Sequence, residues 1–198
     1  MSPFVESLKL ENGQVQNPGY HTARLNRTRK ELYPEAEEIN LQKQLLIPEA
    51  YKSGEYKIRV LYGMNIEKTE FELYVPRTIK TLKIVHHQSI DYHLKYTDRQ
   101  LLQELFAQRN DCDDIIIVKN GFVTDAFAAN LLFFDGDKWY TPTTPLLKGT
   151  KRQFLLDRGM ISEKEIREED ILSYQSVGLI NAMIDFENMQ IVAVKMIY

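Results

Sequence analysis

Four short segments carry side chains capable of chemistry, and each also admits a plainer reading. In His21-Thr22-Ala23-Arg24-Leu25, a helical backbone puts His21, Arg24 and Thr28 on one face. A guanidinium so placed can clamp a phosphate with two parallel hydrogen bonds. With Arg27, Arg29 and Lys30 beside it, the plainer reading is a solvated basic face. In Leu94-Lys95-Tyr96-Thr97-Asp98-Arg99, Lys95 stands just ahead of a helix start. Partial burial near other cations would lower its pKa and supply a neutral amine, the form that attacks an aldehyde. The plainer reading is a surface lysine. In Val123-Thr124-Asp125 and the following Ala126-Phe127-Ala128-Ala129-Asn130, an acid stands beside small residues that let a planar ring approach the backbone. A carboxylate there can pair with a protonated ring nitrogen, or it can simply cap a turn. In Lys148-Gly149-Thr150-Lys151-Arg152, a Gly-Thr pair opens a helix, whose first N–H groups and dipole favour an anion. An ordinary helix start is the alternative.

The elements that must position these groups can be read from periodicity. A strand spans 4–10 and turns at Asn12-Gly13, and further turns fall at Asn120-Gly121 and Asp135-Gly136. A helix spans 20–33 and stops before Pro34, because proline disfavours α geometry in the residue preceding it. A second helix is expected over 35–46, ahead of Pro48. Strands follow at 56–62, 69–75 and 78–85, with Tyr56, Ile58, Val60 and Tyr62 on one face. The polar stretch 86–93 reads as the passage between two lobes, 1–88 and 89–198. The second lobe opens with a helix over 98–109, for which Thr97 and Gln100 have capping-box spacing and Leu101, Leu102, Leu105 and Phe106 form the apolar stripe. A fully apolar strand at 115–118, two strand pieces within 123–134, a strand at 138–141 and a helix over 149–158 capped by Gly159 come next. Ser162 and Glu165 repeat the capping-box spacing before a short helix, and strands at 177–184 and 191–197 close the chain. Strands and helices cluster without regular alternation, which favours α+β over a doubly wound sheet. Neither GxGxxG nor GxxxxGK[ST] occurs.

A net charge of -3 over 198 residues argues against a nucleic-acid binder, which needs a basic face. Cys112 is the one cysteine, so no intrachain disulfide can form, in keeping with a reducing compartment. The start of the chain lacks the pattern of a secretion signal, and no apolar run approaches the roughly 20 residues that span a bilayer. A cytoplasmic protein without membrane, nucleic-acid or metal partners is the expectation.

Taken in order, the segments resemble the class IV (fold type IV) pyridoxal-phosphate aminotransferases. VESLKL at 5–10 followed by Asn12-Gly13 resembles that family's early "FETLRV…dG" strand, and HTARL at 21–25 its "HxxRL". LKYTDR at 94–99 is similar to the "LKxLNR" of aminodeoxychorismate lyases, and VTDAFAANLLFF at 123–134 to "vtEgsxaNlf". YTP at 140–142 with GTKRQFLL at 149–156 resembles "TP…GitR", and GLINAM at 178–183 the late "NAL" strand that faces the cofactor.

The resemblance implies a two-lobed fold like that of D-amino acid aminotransferase, with the first lobe trimmed and the usual strand pair ahead of the first motif missing. It implies pyridoxal 5'-phosphate as cofactor, Lys95 as the residue that bonds it through a Schiff base, and Arg24 with the N–H groups of Thr150 and Lys151 on the phosphate. Asp125 takes the place of the glutamate that pairs with the ring nitrogen, one methylene shorter than in the family. Asn181 falls on the cofactor-facing strand, and Arg99 is placed on phosphate or on a substrate carboxylate. A small amino substrate and a homodimer are also implied. The activity closest to these motifs is aminodeoxychorismate lyase, which releases 4-aminobenzoate and pyruvate for folate synthesis. An aminotransferase acting on branched-chain or D-amino acids is the second expectation, and a cofactor-binding protein without turnover the third.

Overall fold

The computed structural model describes residues 3–198. It divides into two compact units, one running to Pro76 and taking in Leu94–Asp98, the other comprising Arg77–His93 and Arg99–Tyr198. The expected cut at residue 88 therefore falls inside the second unit. The reason is pairing: residues 82–86 form a strand that belongs to a second-unit sheet.

In the first unit, β1 (Phe4–Glu11), β2 (Gln14–Val15), β3 (Glu55–Tyr62) and β4 (Ile66–Leu73) form an antiparallel sheet in the order β2-β1-β3-β4. β1 and β2 are joined through Asn12 and Gly13, at φ 48° and 77°, the double positive φ that an Asn-Gly turn supplies at little cost. β1 pairs along its whole length with β3, from Phe4↔Tyr62 to Glu11↔Glu55. Helix α1 (Pro18–Leu32) starts with proline in its first turn, where the missing N–H costs nothing. It ends because Tyr33, just before Pro34, turns out of helical geometry to φ -135°. Its Leu25 packs with Leu8, Leu10, Ile58, Val60 and Tyr62 in the unit's core.

The helix expected over 35–46 shrinks to the four residues of α2 (Leu41–Gln44). Tertiary hydrogen bonds explain the difference. The Asn26 side chain binds both backbone groups of Ile39, donating to its carbonyl at 2.8 Å and accepting from its N–H at 3.0 Å. Arg29 donates to the Glu37 carbonyl. These bonds hold 37–39 out of helical geometry and outweigh local helix propensity.

The second unit holds two sheets. β5 (Leu82–His86) runs parallel to β6 (Asp114–Lys119), which turns at Asn120-Gly121 into β7 (Phe122–Val123). β8 (Asn130–Phe134), β9 (Trp139–Pro142), β10 (Ser162–Lys164), β11 (Ser176–Ile180) and β12 (Gln190–Ala193) form a mixed sheet in the order β10-β9-β8-β11-β12. β5 starts later than the sequence predicts, because Asp113 Oδ2 accepts the N–H groups of Lys80 and Thr81 and keeps them out of the ladder. α3 (Gln100–Ala107) buries Leu102 and Leu105 against Ile115 and Ile117. α4 (Thr150–Asp157) buries Leu155 with Leu132 and Ile180.

Both helices with capping-box spacing start later than expected. α3 begins only at Gln100, and its N-cap residue, Arg99, makes no side-chain cap bond. Ahead of it, 95–97 is held beside β1 as extended chain: the Val5 N–H donates to the Lys95 carbonyl, and the Thr97 N–H to the Pro3 carbonyl. Residues 162–164 pair in parallel with 140–142, so the turn of helix appears only at Glu168–Ser173, where Asp170 accepts the Arg167 N–H. Asp135-Gly136 does turn between β8 and β9, but only Gly136 has positive φ, and the Asp135 carboxylate closes the turn by accepting the N–H groups of Asp137 and Lys138. Among the described residues, no helix is long and apolar enough to cross a membrane.

Candidate active site

In the first unit the chemistry-bearing groups gather around Glu6, the third residue of β1. Its carboxylate is fully buried. Arg24 donates to it twice, from Nε at 2.8 Å and from Nη2 at 2.6 Å. His21 Nδ1 lies 2.7 Å from Glu6 Oε2. The three-residue spacing on α1 puts His21 and Arg24 on the same face, toward one strand residue. Burial alone would raise the Glu6 carboxyl, but the Arg24 charge and the hydrogen bonds from Arg24 and His21 outweigh burial and bring its pKa down to about 2. For His21, burial and the Arg24 and Lys95 charges outweigh the pull of Glu6 and hold the ring below its ordinary value. At neutral pH the cluster is thus a carboxylate, a guanidinium and a neutral imidazole that donates from Nδ1.

Lys95 belongs to this unit. It is half-buried, its backbone carbonyl is tied to the Val5 N–H, and its charge is felt at His21. The amine expected to react and the guanidinium expected to grip a phosphate therefore act on the same imidazole. The sequence signal for Glu6 is an acid between Val5 and Leu8 on a strand that precedes a helix with His and Arg three apart.

In the second unit Asp125 is buried, and both its oxygens are held by neutral donors. Asn130 Nδ2 binds Oδ1 at 2.7 Å, and the Leu147 N–H binds Oδ2 at 2.9 Å. Burial pushes its carboxyl up to about 6 against these donors. The Arg152 charge also reaches it, but the Arg152 hydrogen bonds go to Thr141, Pro142 and Glu163. A buried carboxylate in this state is one that a cationic partner, such as a protonated ring nitrogen, would stabilise.

Asn130 links this acid to the start of α4. Its Nδ2 also donates to the Leu147 carbonyl, and its Oδ1 lies so close to Gly149 that a Cβ there would sit 1.9 Å away. Gly149 opens α4 without a side-chain cap, so the helix start keeps the character of an anion site. Thr150 and Lys151, the two residues expected on the phosphate, form its first turn and are buried. The Lys151 ammonium itself lies 3.3 Å from Asp185 and over the Phe154 ring.

Two further expected residues lie in this unit. Arg99 stacks 4.3 Å above the Phe127 ring, donates to the Phe127 carbonyl, and has a buried Nε without a partner. Phe127 stacks in turn on Phe106, which holds Arg99 in one orientation. Asn181 donates to the Ala128 carbonyl at 3.3 Å and accepts from the Met183 N–H at 2.9 Å, bracing the run of small residues that follows Asp125.

Taken unit by unit, the residues suit pyridoxal phosphate: the first unit carries an amine and a buried guanidinium, and the second a helix start whose N-cap glycine offers no side-chain cap and a buried acid held by neutral donors. Comparison with known proteins agrees. The family described as amino-transferase class IV matches residues 4–195. An uncharacterized protein of Haemophilus influenzae is 40% identical over 185 residues, covering 92% of this chain and 98% of its own. A crystal structure from Haemophilus somnus 129pt, provisionally described as that of a 4-amino-4-deoxychorismate lyase, is 34% identical with a TM-score of 0.87, covering 92% of this chain and 97% of its own. A Schizosaccharomyces pombe protein, provisionally named aminodeoxychorismate lyase, is 26% identical over 148 residues, covering 68% of this chain and 61% of its own. The chain belongs to the class IV aminotransferases, with their fold-type-IV architecture, and is a pyridoxal-phosphate-dependent enzyme.

Proposed function

We propose that this enzyme is an aminodeoxychorismate lyase, converting 4-amino-4-deoxychorismate to 4-aminobenzoate and pyruvate in the cytoplasm, where it serves folate synthesis as a homodimer. The observation that carries the reading is the 34% identity, over nearly the full length of both chains, to the Haemophilus somnus protein described as such a lyase. When bound, the cofactor supplies an aldehyde to which amines attach and a ring that draws electrons from the substrate. Lys95 is the amine that bonds it, and its Nζ then moves a proton as base and acid. Arg24 and the N–H groups of Thr150 and Lys151 hold the phosphate. Asp125 partners the ring nitrogen, and that cation offsets the cost of its own burial. Asn181 supports the cofactor-facing strand, and Arg99, held flat by Phe127, meets an anionic group of the substrate or cofactor. Elimination needs no second substrate, because the atoms of 4-amino-4-deoxychorismate divide fully between the two products.

Transamination is the second reading, favoured by the family match along 4–195. One assay separates them. Purified enzyme given 4-amino-4-deoxychorismate with no 2-oxo acid is expected to release 4-aminobenzoate and pyruvate in equal amounts. Amino transfer from branched-chain or D-amino acids to 2-oxoglutarate, with no 4-aminobenzoate, would overturn the lyase reading. A yellow protein inert in both assays would leave only cofactor binding.

A further inference from the structure

We propose that Glu6 is the positioning residue of the phosphate grip, holding Arg24 by a two-pronged hydrogen-bonded pair and His21 by a third bond to the same carboxylate. This rests on the reading of Arg24 as a phosphate ligand and adds the residue that sets its orientation.

The geometry carries the argument. A free arginine has several rotatable bonds and samples many orientations, so a phosphate that binds it must first order it. Here the Nε and Nη2 edge is already fixed on Glu6 at 2.8 Å and 2.6 Å. Glu6 is itself fixed, because β1 pairs with β3 on both sides of it and its side chain has no exposure to solvent. Planar fork-to-carboxylate pairing defines where the rest of the guanidinium points. The bond to His21 Nδ1 occupies Oε2 from a second direction, so the carboxylate cannot rotate without losing two partners at once. Glu6, Arg24 and Lys95, all of the same unit, are among the charged groups that act on the imidazole.

Two effects oppose each other when Glu6 becomes neutral. Arg24 loses its fork, which loosens it. Removing a negative charge nearby also strengthens its attraction to an anion. Orientation dominates.

The test titrates the cofactor-stripped enzyme with pyridoxal phosphate and with pyridoxal, which lacks the phosphate, following absorbance. The ratio of the two affinities reads the phosphate contribution alone, and a merely structural role would lower both affinities equally. Glu6→Gln is expected to cut this ratio at least tenfold, with pyridoxal affinity changed less than twofold. Arg24→Lys is expected to cut it too, and Glu6→Gln added to Arg24→Lys to change it less than twofold further, since Glu6 acts through Arg24. An unchanged or increased ratio in Glu6→Gln overturns the proposal, as does a double variant in which the two losses multiply. If Glu6→Gln does not fold, Glu6→Asp, too short to keep the fork, is judged by the same criterion. A ratio unaffected by Arg24→Lys instead refutes Arg24 as the phosphate ligand, and this inference falls with it.

Discussion

Asp125 shows how burial sets chemistry at a single residue. Its carboxyl is raised to about 6 because it is enclosed with neutral donors only. A raised acid favours folding in its protonated form, so its contribution is full below the unfolded value of 3.8 and is lost as pH rises through about 6. In cofactor-stripped protein, Asp125→Asn is therefore expected to gain about 1 kcal/mol of stability relative to the parent between pH 5 and pH 7. Melting temperatures at the two pH values check this, and a parent-variant difference independent of pH would contradict it. At this scale the residue types in the sequence were informative and their pairings were not. Lys95, Arg24 and Asp125 stand out because the order and spacing of their segments resemble the family's motifs, while each segment alone also admits a surface or turn role. Glu6, at the heart of the first cluster, and Asn130, which ties Asp125 to α4, were invisible as partners. Contacts 15, 18 and 17 residues apart depend on how strands and helices fold together, which no local spacing reports.

The most informative element is α4 with the glycine that opens it. Gly149 is needed for space: an added Cβ would fall 1.9 Å from Asn130 Oδ1, and Asn130 cannot retreat without releasing Asp125 or the Leu147 carbonyl. Gly149→Ala is expected to destabilise the protein by about 2 kcal/mol, in the range of overpacking costs. Most of that cost should vanish in an Asn130→Ala background, where the clash is absent. Denaturant unfolding of the four proteins measures both effects, and a Gly149→Ala protein as stable as the parent would show that the helix start is looser than described. Elements bounded by proline or by Asn-Gly pairs were legible beforehand, as α1 and the β1-β2 and β6-β7 turns show, because their punctuation acts through local backbone sterics. The 35–46 segment was misread because its backbone groups bond to Asn26 and Arg29, side chains of another element. The start of α3 was misread for the same reason, since residues 95–97 are engaged by β1.

For the whole molecule, the path of the chain is the main point. It leaves the first unit after Pro76, returns for the five residues Leu94–Asp98, and leaves again at Arg99. That return delivers Lys95 to the strand that carries Glu6 and to the helix that carries His21 and Arg24. The fold class was legible from the clustering of elements and from motif order; the brief return was not, because it depends on hydrogen bonds to Pro3 and Val5 at the far end of the sequence. The most direct measurement is borohydride reduction of the purified, cofactor-loaded enzyme followed by peptide mapping. The expected result is loss of the visible absorbance and one pyridoxyl label, on Lys95, absent from a folded Lys95→Ala variant. A label on another lysine, or equal labelling of Lys95→Ala, would contradict the account at its centre.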